Sequence, residues 1–213
     1  MVADTSSPAV HTLGTVRTVR TVVIAEDEAL IRLDLREMLE EEGFRVVGEA
    51  GDGETAVALA AQHRPDLVVL DVKMPRLDGI SAAEQIAAAR LAPVVMLTAF
   101  SQRELVERAR AAGAMAYLVK PFSKSELVPA IEIAMARYDE LLTLEREVGD
   151  LQERLRARTL VDRAKGVLQD RYGLDEAAAY RWLQQASMDR RRSMAEVAEM
   201  VLAETAKAPS DSV

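Results

Sequence analysis

The chain contains no cysteine among its 213 residues. Disulfide bridges and thiolate zinc sites are therefore excluded, and an intracellular location is weakly favoured. No apolar stretch approaches the roughly 20 residues that span a bilayer, and the first residues lack the apolar centre of a signal peptide. These absences predict a cytoplasmic protein with no membrane partner.

Basic residues are in the minority, with 27 Lys and Arg against 35 Asp and Glu and a net charge of -8. Such a chain has no overall attraction for nucleic acid, so any nucleic-acid contact must come from a local patch. Hydrophobic residues make up 49% of the chain, which is enough for a real core. The length allows one domain and a smaller second one.

Four apolar runs end in polar residues suited to phosphoryl chemistry. The runs 22–25, 67–70, 94–97 and 116–119 are followed by Glu26 and Asp27, by Asp71, by Thr98 and by Lys120. Continuous Val, Ile and Leu runs are typical of buried parallel strands, and open α/β sheets place their ligands at the carboxyl ends of such strands. We therefore expect these side chains to converge at one edge of a sheet.

Helical patterns alternate with the strands from Thr21 to about Arg137. The predicted helices cover 28–42, 52–63, 78–90, 101–113 and a stretch from Ser123 onward, and a short strand at 46–47 brings the strands to five. Asp52, Ser101 and Ser123 are the expected helix caps. Five strands alternating with five helices predict an α/β fold, a doubly wound parallel sheet covered on both faces.

Beyond Arg137 the strand patterns cease. Apolar residues recur three and four apart, as in a short coiled coil, at Leu141, Leu144, Val148, Leu151 and Leu155. Two heptads do not distinguish pairing with a second chain from packing on the same domain. Three further helices are predicted at 160–172, 175–186 and 193–205. A bundle this small has a limited core, so docking or dimerisation would help it.

The expected site chemistry follows from the residue types. Glu26, Asp27 and Asp71 offer hard oxygen ligands, which suit Mg²⁺. With their charge screened, the Asp71 carboxylate can attack a phosphoryl group as a nucleophile. Lys120 would neutralise charge on the phosphoryl oxygens, and the Thr98 hydroxyl would donate a hydrogen bond to one of them. Without metal, the crowded acids should have raised pKa values and weaken the fold.

Residues 20–137 resemble the receiver domain of bacterial response regulators, with its flavodoxin-like fold. The matching segments are 25–28, 71–79, 97–99 and 119–122. The resemblance implies that a sensor histidine kinase transiently phosphorylates Asp71, and that Glu26, Asp27, Asp71 and the backbone carbonyl of Lys73 hold Mg²⁺. It also implies a cis peptide bond before Pro121. Such a protein is a phosphoryl acceptor that slowly dephosphorylates itself, and not an enzyme.

The same resemblance implies a conformational switch. Thr98 moves toward the phosphoryl group and Tyr117 follows it inward; the alternative is that Tyr117 is a half-buried strand residue with its hydroxyl in water. Phosphoryl lifetime in this family depends on the positions of Lys73 and Phe100. A bulky Phe100 is expected to shield the acyl phosphate from water.

Residues 159–206 resemble the ANTAR family of RNA-binding antiterminator modules. The match lies in segment 160–168, in Ala177, Trp182 and Leu183, and in segments 186–192 and 197–198. The resemblance implies a homodimer, formed through a helical linker at 138–158, that binds paired RNA hairpins and blocks transcription terminators. Residues 1–19 and 207–213 complete the predicted organisation as flexible tails.

Candidate RNA contacts lie in two short segments. They are Arg163, Ala164, Lys165 and Gly166 in the first and Arg190, Arg191 and Arg192 in the second. Small residues allow another backbone to approach, and basic ones contact phosphate or stack on loop bases. Gly166 is equally consistent with tight helix packing, and an arginine run is often a solvated face. We expect Trp182 to lie in the bundle core, although base stacking is the alternative.

Three other functions are considered from the sequence. A DNA-binding regulator remains open, because three short helices can form a helix-turn-helix. A dehalogenase-type hydrolase is disfavoured, because those enzymes carry a second acid two residues after the nucleophile, where this chain has Lys73. Nicotinamide binding is disfavoured because no glycine-rich turn follows the first strand.

Overall fold

The computed structural model describes residues 19–99 and 103–207. Most of the two predicted tails, the expected Ser101 cap and the predicted phosphoryl shield Phe100 lie outside the described residues. The chain divides into two compact units, residues 1–140 and 141–213. None of the helices in the described ranges has a stretch long and apolar enough to cross a membrane.

The first unit contains a five-stranded parallel sheet in the order β2-β1-β3-β4-β5. Its elements are β1 (Thr21–Ala25), α1 (Ala29–Glu41), β2 (Arg45–Ala50), α2 (Gly53–His63), β3 (Leu67–Asp71), α3 (Gly79–Ala88), β4 (Val94–Thr98), α4 (Arg103–Ala111), β5 (Ala116–Val119) and the start of α5 (Lys124–Tyr172). This order is that of a flavodoxin-like doubly wound sheet, so the predicted fold class is confirmed.

Alternating side chains of each strand supply two separate cores, one on each face of the sheet. Val23 and Ala25 of β1 belong to the face that packs against α2, α3 and α4, whereas Val22 and Ile24 belong to the face that packs against α1 and α5. Because both faces are covered, β1, β3 and β4 are almost entirely buried and read as continuous apolar runs.

Two predicted features of helix ends can be checked directly. The Asp52 carboxylate accepts a hydrogen bond from the Thr55 backbone N–H at 2.9 Å, so the cap expected at α2 is confirmed. Before α5, the Glu126 carboxylate accepts hydrogen bonds from the Ser123 backbone N–H and hydroxyl, at 2.8 and 2.7 Å. Both contacts satisfy polar groups at a helix N-terminus and fix where the helix begins.

The second unit is a small helical bundle. The C-terminal part of α5 packs with α6 (Glu176–Arg190) and α7 (Met194–Lys207). The buried residues at the centre are Ala164, Leu168, Ala179, Leu183, Val197, Ala198 and Val201. Asp175 caps α6 by accepting from the Ala178 backbone N–H at 2.6 Å.

Two predictions are wrong in this part of the chain. Separate helices before and after the apolar stripe were expected, but α5 is one helix of 49 residues. Strong helix formers fill the predicted breaks, and a single glycine, Gly149, does not end a helix. Trp182 was expected in the bundle core but is 43% exposed. Its neighbour Leu183 takes the core position instead, because adjacent helical residues point about 100° apart.

Candidate phosphoacceptor site

Three acidic residues meet at the carboxyl edge of the sheet. Glu26 and Asp27 follow β1, Asp71 ends β3, and one carboxylate oxygen from each lies within 4.8 Å of the others. Neighbouring strands explain the meeting, because Ala25 of β1 is in register with Leu70 of β3. Glu26 and Asp71 are buried and Asp27 is exposed.

Lys120 is the cation that faces this acidic group. Its Nζ lies 2.8 Å from Oδ1 of Asp71 and also forms an ion pair with Glu26. The Lys120 backbone N–H donates to the carbonyl of Thr98 at 2.7 Å, which joins the end of β5 to the end of β4. Thr98 is buried and follows Leu97, the register partner of Asp71. The expected convergence at one edge is therefore observed.

Burial and neighbouring charges shift the pKa values of Glu26 and Lys120. Burial raises the pKa of Glu26, the Lys120 hydrogen bond opposes that shift, and the negative charge of Asp71 adds to it. The expected raised pKa is thus confirmed for Glu26, with burial as its main cause. Burial alone would lower the pKa of Lys120, but hydrogen bonds to Asp71 and Glu26 outweigh it and raise this pKa.

The loop after β3 is held close to Asp71. The Lys73 backbone N–H donates to Oδ2 of Asp71 at 3.2 Å, and the Gly79 N–H donates to the carbonyl of Val72 at 3.0 Å. A Cβ at Gly79 would lie 1.8 Å from the Asp71 carbonyl oxygen. Only glycine fits there, a role that the helix predicted over 78–90 did not indicate.

Sequence reasoning also missed two arginines near this edge. The Arg32 guanidinium of α1 donates to the backbone carbonyl of Glu26. Arg76, in the loop after β3, has a left-handed backbone with φ of 64° and forms an ion pair with the buried Asp52. The pair ties the loop to the start of α2. No motif marked either contact, because each depends on how two distant segments meet.

The remaining predicted receiver residues lie in β5 and directly after it. Tyr117 of β5 is 49% exposed, which places it as a half-buried strand residue in this structure. The peptide bond between Lys120 and Pro121 is cis. An open cleft of about 510 Å³ lies beside the acids and is lined by Asp27, Lys73 and Arg108, among others.

The candidate RNA contacts of the second unit differ in exposure. Arg163 and the run Arg190, Arg191 and Arg192 are exposed, whereas Lys165 forms ion pairs with Asp162 at 2.9 Å and Glu176 at 3.0 Å. Ala164 is completely buried in the bundle core, so the prediction that it contacts RNA is wrong. Its small side chain serves helix packing.

Gly166 lies on the surface of α5 with space around it. A Cβ at this position would have no atom within 4 Å among the described residues. Tight packing against a neighbouring helix of the chain therefore does not explain this glycine.

Two family models match the chain. The response regulator receiver domain matches residues 22–132, and the ANTAR domain matches residues 149–202. The Transcriptional regulatory protein PdtaR of Mycobacterium tuberculosis is 64% identical over 192 residues, which cover 90% of this chain and 93% of that protein.

Solved structures resemble the first unit. The CheX-CheY-BeF3-Mg complex of Borrelia burgdorferi aligns with a TM-score of 0.51 and 30% identity, covering 53% of this chain and 86% of that one. The response regulator domain of Thermotoga maritima CheB aligns with a TM-score of 0.53 and 29% identity, covering 56% and 98%. The chain therefore belongs to the response regulators, as a phosphorylation-controlled member that joins a receiver domain to an RNA-binding ANTAR antitermination domain.

Proposed function

We propose that Asp71 is the phosphoacceptor and that a sensor histidine kinase is the donor. The supporting observation is the position of the Asp71 carboxylate, which lies at a strand end, beside the buried Glu26 and in an ion pair with the Lys120 ammonium. In the reaction a carboxylate oxygen attacks phosphorus, the phosphorus–nitrogen bond of a phosphohistidine breaks, and the electron pair leaves with the imidazole. The chain is a stoichiometric acceptor in this scheme, with slow loss of phosphate to water.

Each neighbour has a separate role in this proposal. Glu26, Asp27, Asp71 and the carbonyl of Lys73 would hold Mg²⁺, which when bound neutralises negative charge at the site. Three carboxylate oxygens within 4.8 Å of one another fit such an ion, and the similar Borrelia CheX-CheY complex contains Mg²⁺. Lys120 pairs with the phosphoryl oxygens, and the Thr98 hydroxyl donates to one of them.

Phosphoryl transfer can be tested with a small phosphodonor and Mg²⁺. Mass spectrometry of the intact wild-type chain should show one added phosphoryl group, and the Asp71→Asn variant should show none. Asp34→Asn, an exposed acid on α1, is the matched control and should label like the wild type. Labelling of Asp71→Asn would contradict the assignment.

We infer that the output of the second unit is binding of hairpin RNA by a homodimer. The exposed Arg163 and the exposed arginines at the end of α6 support phosphate contacts, and the apolar stripe at 144–155 supports pairing of two chains. Phosphorylation would control this output through the switch residues Thr98 and Tyr117. Binding of hairpin RNA and of duplex DNA at matched salt tests the output, and preference for duplex DNA would favour a DNA-binding regulator instead.

A further inference from the structure

The loop between β3 and α3, residues 72–78, lines the open cleft beside the acids of the phosphoacceptor site. At its start, the backbone N–H of Lys73 donates to the Asp71 carboxylate. At its end, the backbone N–H of Gly79 donates to the carbonyl of Val72. Between these two hydrogen bonds, the loop lies against a different segment of the receiver, the start of α2.

Two contacts join the middle of the loop to α2. The Arg76 guanidinium forms an ion pair with Asp52, whose side chain is only 2% exposed. At the next residue, the Leu77 carbonyl accepts a hydrogen bond from the Gly53 backbone N–H at 3.1 Å. A Cβ at Gly53 would lie 2.3 Å from that carbonyl oxygen, so the two segments meet backbone to backbone. We call these two contacts the loop latch.

Arg76 holds an unfavourable backbone conformation in this latch. Its φ of 64° lies in the left-handed region, which is uncommon for a residue with a long side chain. Glycine would adopt this conformation without that cost, so the arginine side chain has to contribute something that offsets it. Its partner Asp52 is held rigidly, because the Asp52 carboxylate also accepts hydrogen bonds from the Thr55 backbone N–H at 2.9 Å and hydroxyl at 2.8 Å. The ion pair therefore ties the loop to a fixed point.

We propose that Arg76 is a positioning residue for the Mg²⁺ site and acts through the loop latch on the backbone carbonyl of Lys73. The inference rests on the proposed Mg²⁺ site and names the side chain that keeps its backbone ligand in place. Mg²⁺ demands near-ideal octahedral geometry, so a carbonyl on a loosened loop binds it less well. Removing a group that orients a metal ligand typically weakens metal affinity 10- to 100-fold.

The charge of Arg76 by itself predicts the opposite effect. Removing a positive charge near a cation site reduces electrostatic repulsion and should strengthen Mg²⁺ binding. Loss of the loop latch should weaken Mg²⁺ binding. The direction of the change in Arg76→Gly therefore separates the two effects. Glycine also suits a φ of 64°, so this substitution adds no backbone strain.

Isothermal titration calorimetry of the full chain with Mg²⁺ measures this affinity without a phosphodonor. Arg76→Gly should bind Mg²⁺ roughly 10-fold more weakly than the wild type. In labelling with phosphoramidate, a small phosphodonor, the Mg²⁺ concentration that gives half the maximal rate should rise by the same factor. The rate at saturating Mg²⁺ should stay close to that of the wild type, because Arg76 positions a ligand and does not contact the reacting atoms.

Arg90→Gly is the matched control. Arg90 also has a left-handed backbone, with φ of 49°, but it lies before β4, and its guanidinium donates to the carbonyl of Ala87 at 2.7 Å. This variant should bind Mg²⁺ like the wild type. Asp52→Asn keeps a capping side chain but removes the charge that Arg76 pairs with. Adding Arg76→Gly to Asp52→Asn should therefore weaken Mg²⁺ binding less than adding it to the wild type.

Hydrogen exchange of the metal-free protein tests the latch itself. The amides of residues 72–78 should exchange faster in Arg76→Gly than in the wild type and in Arg90→Gly. Faster exchange throughout the receiver domain would show a general structural role and overturn the positioning role. Tighter or unchanged Mg²⁺ binding by Arg76→Gly would also overturn it and leave the Mg²⁺ site standing. Failure of the wild type to bind Mg²⁺ would instead overturn the proposed site, and the positioning role with it.

Discussion

At the scale of single residues, Lys120 determines the charge balance of the acidic edge. Its ammonium contacts both Asp71 and Glu26, so Lys120→Met leaves two buried carboxylates without their cation. We expect this variant to lose about 3 kcal/mol of unfolding free energy at neutral pH without metal, the lower end of the range for breaking buried ion pairs. Urea unfolding measures this loss, and added Mg²⁺ should restore part of it.

A matched control is available in Lys124. This lysine also pairs with two acids, Glu41 at 3.0 Å and Glu42 at 2.8 Å, but on the surface. Water and salt screen exposed pairs, so Lys124→Met should change stability little. If both variants lost the same free energy of unfolding, burial of the ion pairs would not be the reason that Lys120 stabilises the fold.

Asp78 predicts a pH dependence of stability. Asp78 caps the N-terminus of α3. Partial burial by itself would raise the pKa of its carboxyl. Hydrogen bonds from the backbone N–H and hydroxyl of Ser81 and from the backbone N–H of Ile80 outweigh burial and lower this pKa below its usual 3.8. Because this pKa is lower in the folded state, the ionised Asp78 carboxylate stabilises the fold, and this stabilisation is fully present above the unfolded-state pKa. It is lost as the pH falls through the folded-state pKa.

Asp78→Asn keeps a capping side chain but cannot titrate. Urea unfolding between neutral and acidic pH should therefore show a smaller acid loss for this variant than for the wild type. Asp78→Ala should cost about 1 kcal/mol at neutral pH, since the cap itself is gone. If Asp78→Asn and the wild type lost the same unfolding free energy between neutral and acidic pH, this role of Asp78 would be contradicted.

The residues of the acidic edge were predictable because strand order places them together. Apolar runs ending in Glu26, Asp71 and Lys120 give the edge, and parallel packing converges their ends. The Arg32 contact with Glu26 and the Arg76 ion pair with Asp52 were not predictable. Long side chains reach several partners, and sequence spacing does not choose among them.

At the scale of elements, α5 carries two surface glycines that weaken it. Gly149 and Gly166 both lie within this helix, and a Cβ at either would meet no atom within 4 Å among the described residues. Glycine in a helix interior costs about 0.5–1 kcal/mol relative to alanine. Gly149→Ala and Gly166→Ala should each raise the free energy of unfolding by about that amount, as urea unfolding can measure.

These two variants should differ in RNA binding. Gly166 directly follows the candidate contact Lys165. We expect RNA to approach the backbone here, so an added methyl group should weaken hairpin binding. Gly149 lies in the stripe region and serves as the control. A loss of stability in Gly166→Ala would show that something packs closely at this position after all.

The helix boundaries show where sequence reasoning stops. Asp52 at α2 and Gly43 after α1 mark helix ends clearly, because capping and positive φ have strong residue preferences. Within α5 no comparable signal exists, so an apolar stripe flanked by polar residues looked like a separate segment. The sequence also did not determine whether Trp182 lies on the buried or the exposed face of α6, because small and apolar residues lie on both sides of it along the chain.

At the scale of the whole molecule, the apolar stripe of α5 is the surface that we expect to pair two chains. Leu144, Val148, Leu151 and Leu155 are each more than half exposed. They repeat four, three and four residues apart, the spacing of a coiled-coil seam. The sequence also allowed the stripe to pack on its own domain. Among the described residues, nothing covers these four side chains to that extent.

A seam of about two heptads forms a weak coiled coil, so dimerisation should depend on protein concentration. Leu151→Glu places a charge in the centre of the stripe and should shift the chain toward monomer in sedimentation or size-exclusion measurements. Because Leu151 is exposed in the single chain, the fold of the monomer should be unaffected. Gln152→Glu adds the same charge one residue away from the stripe and should leave the dimer intact, since it points about 100° from the seam. Dissociation by both substitutions would indicate a general charge effect, and dissociation by neither would place the dimer contact elsewhere.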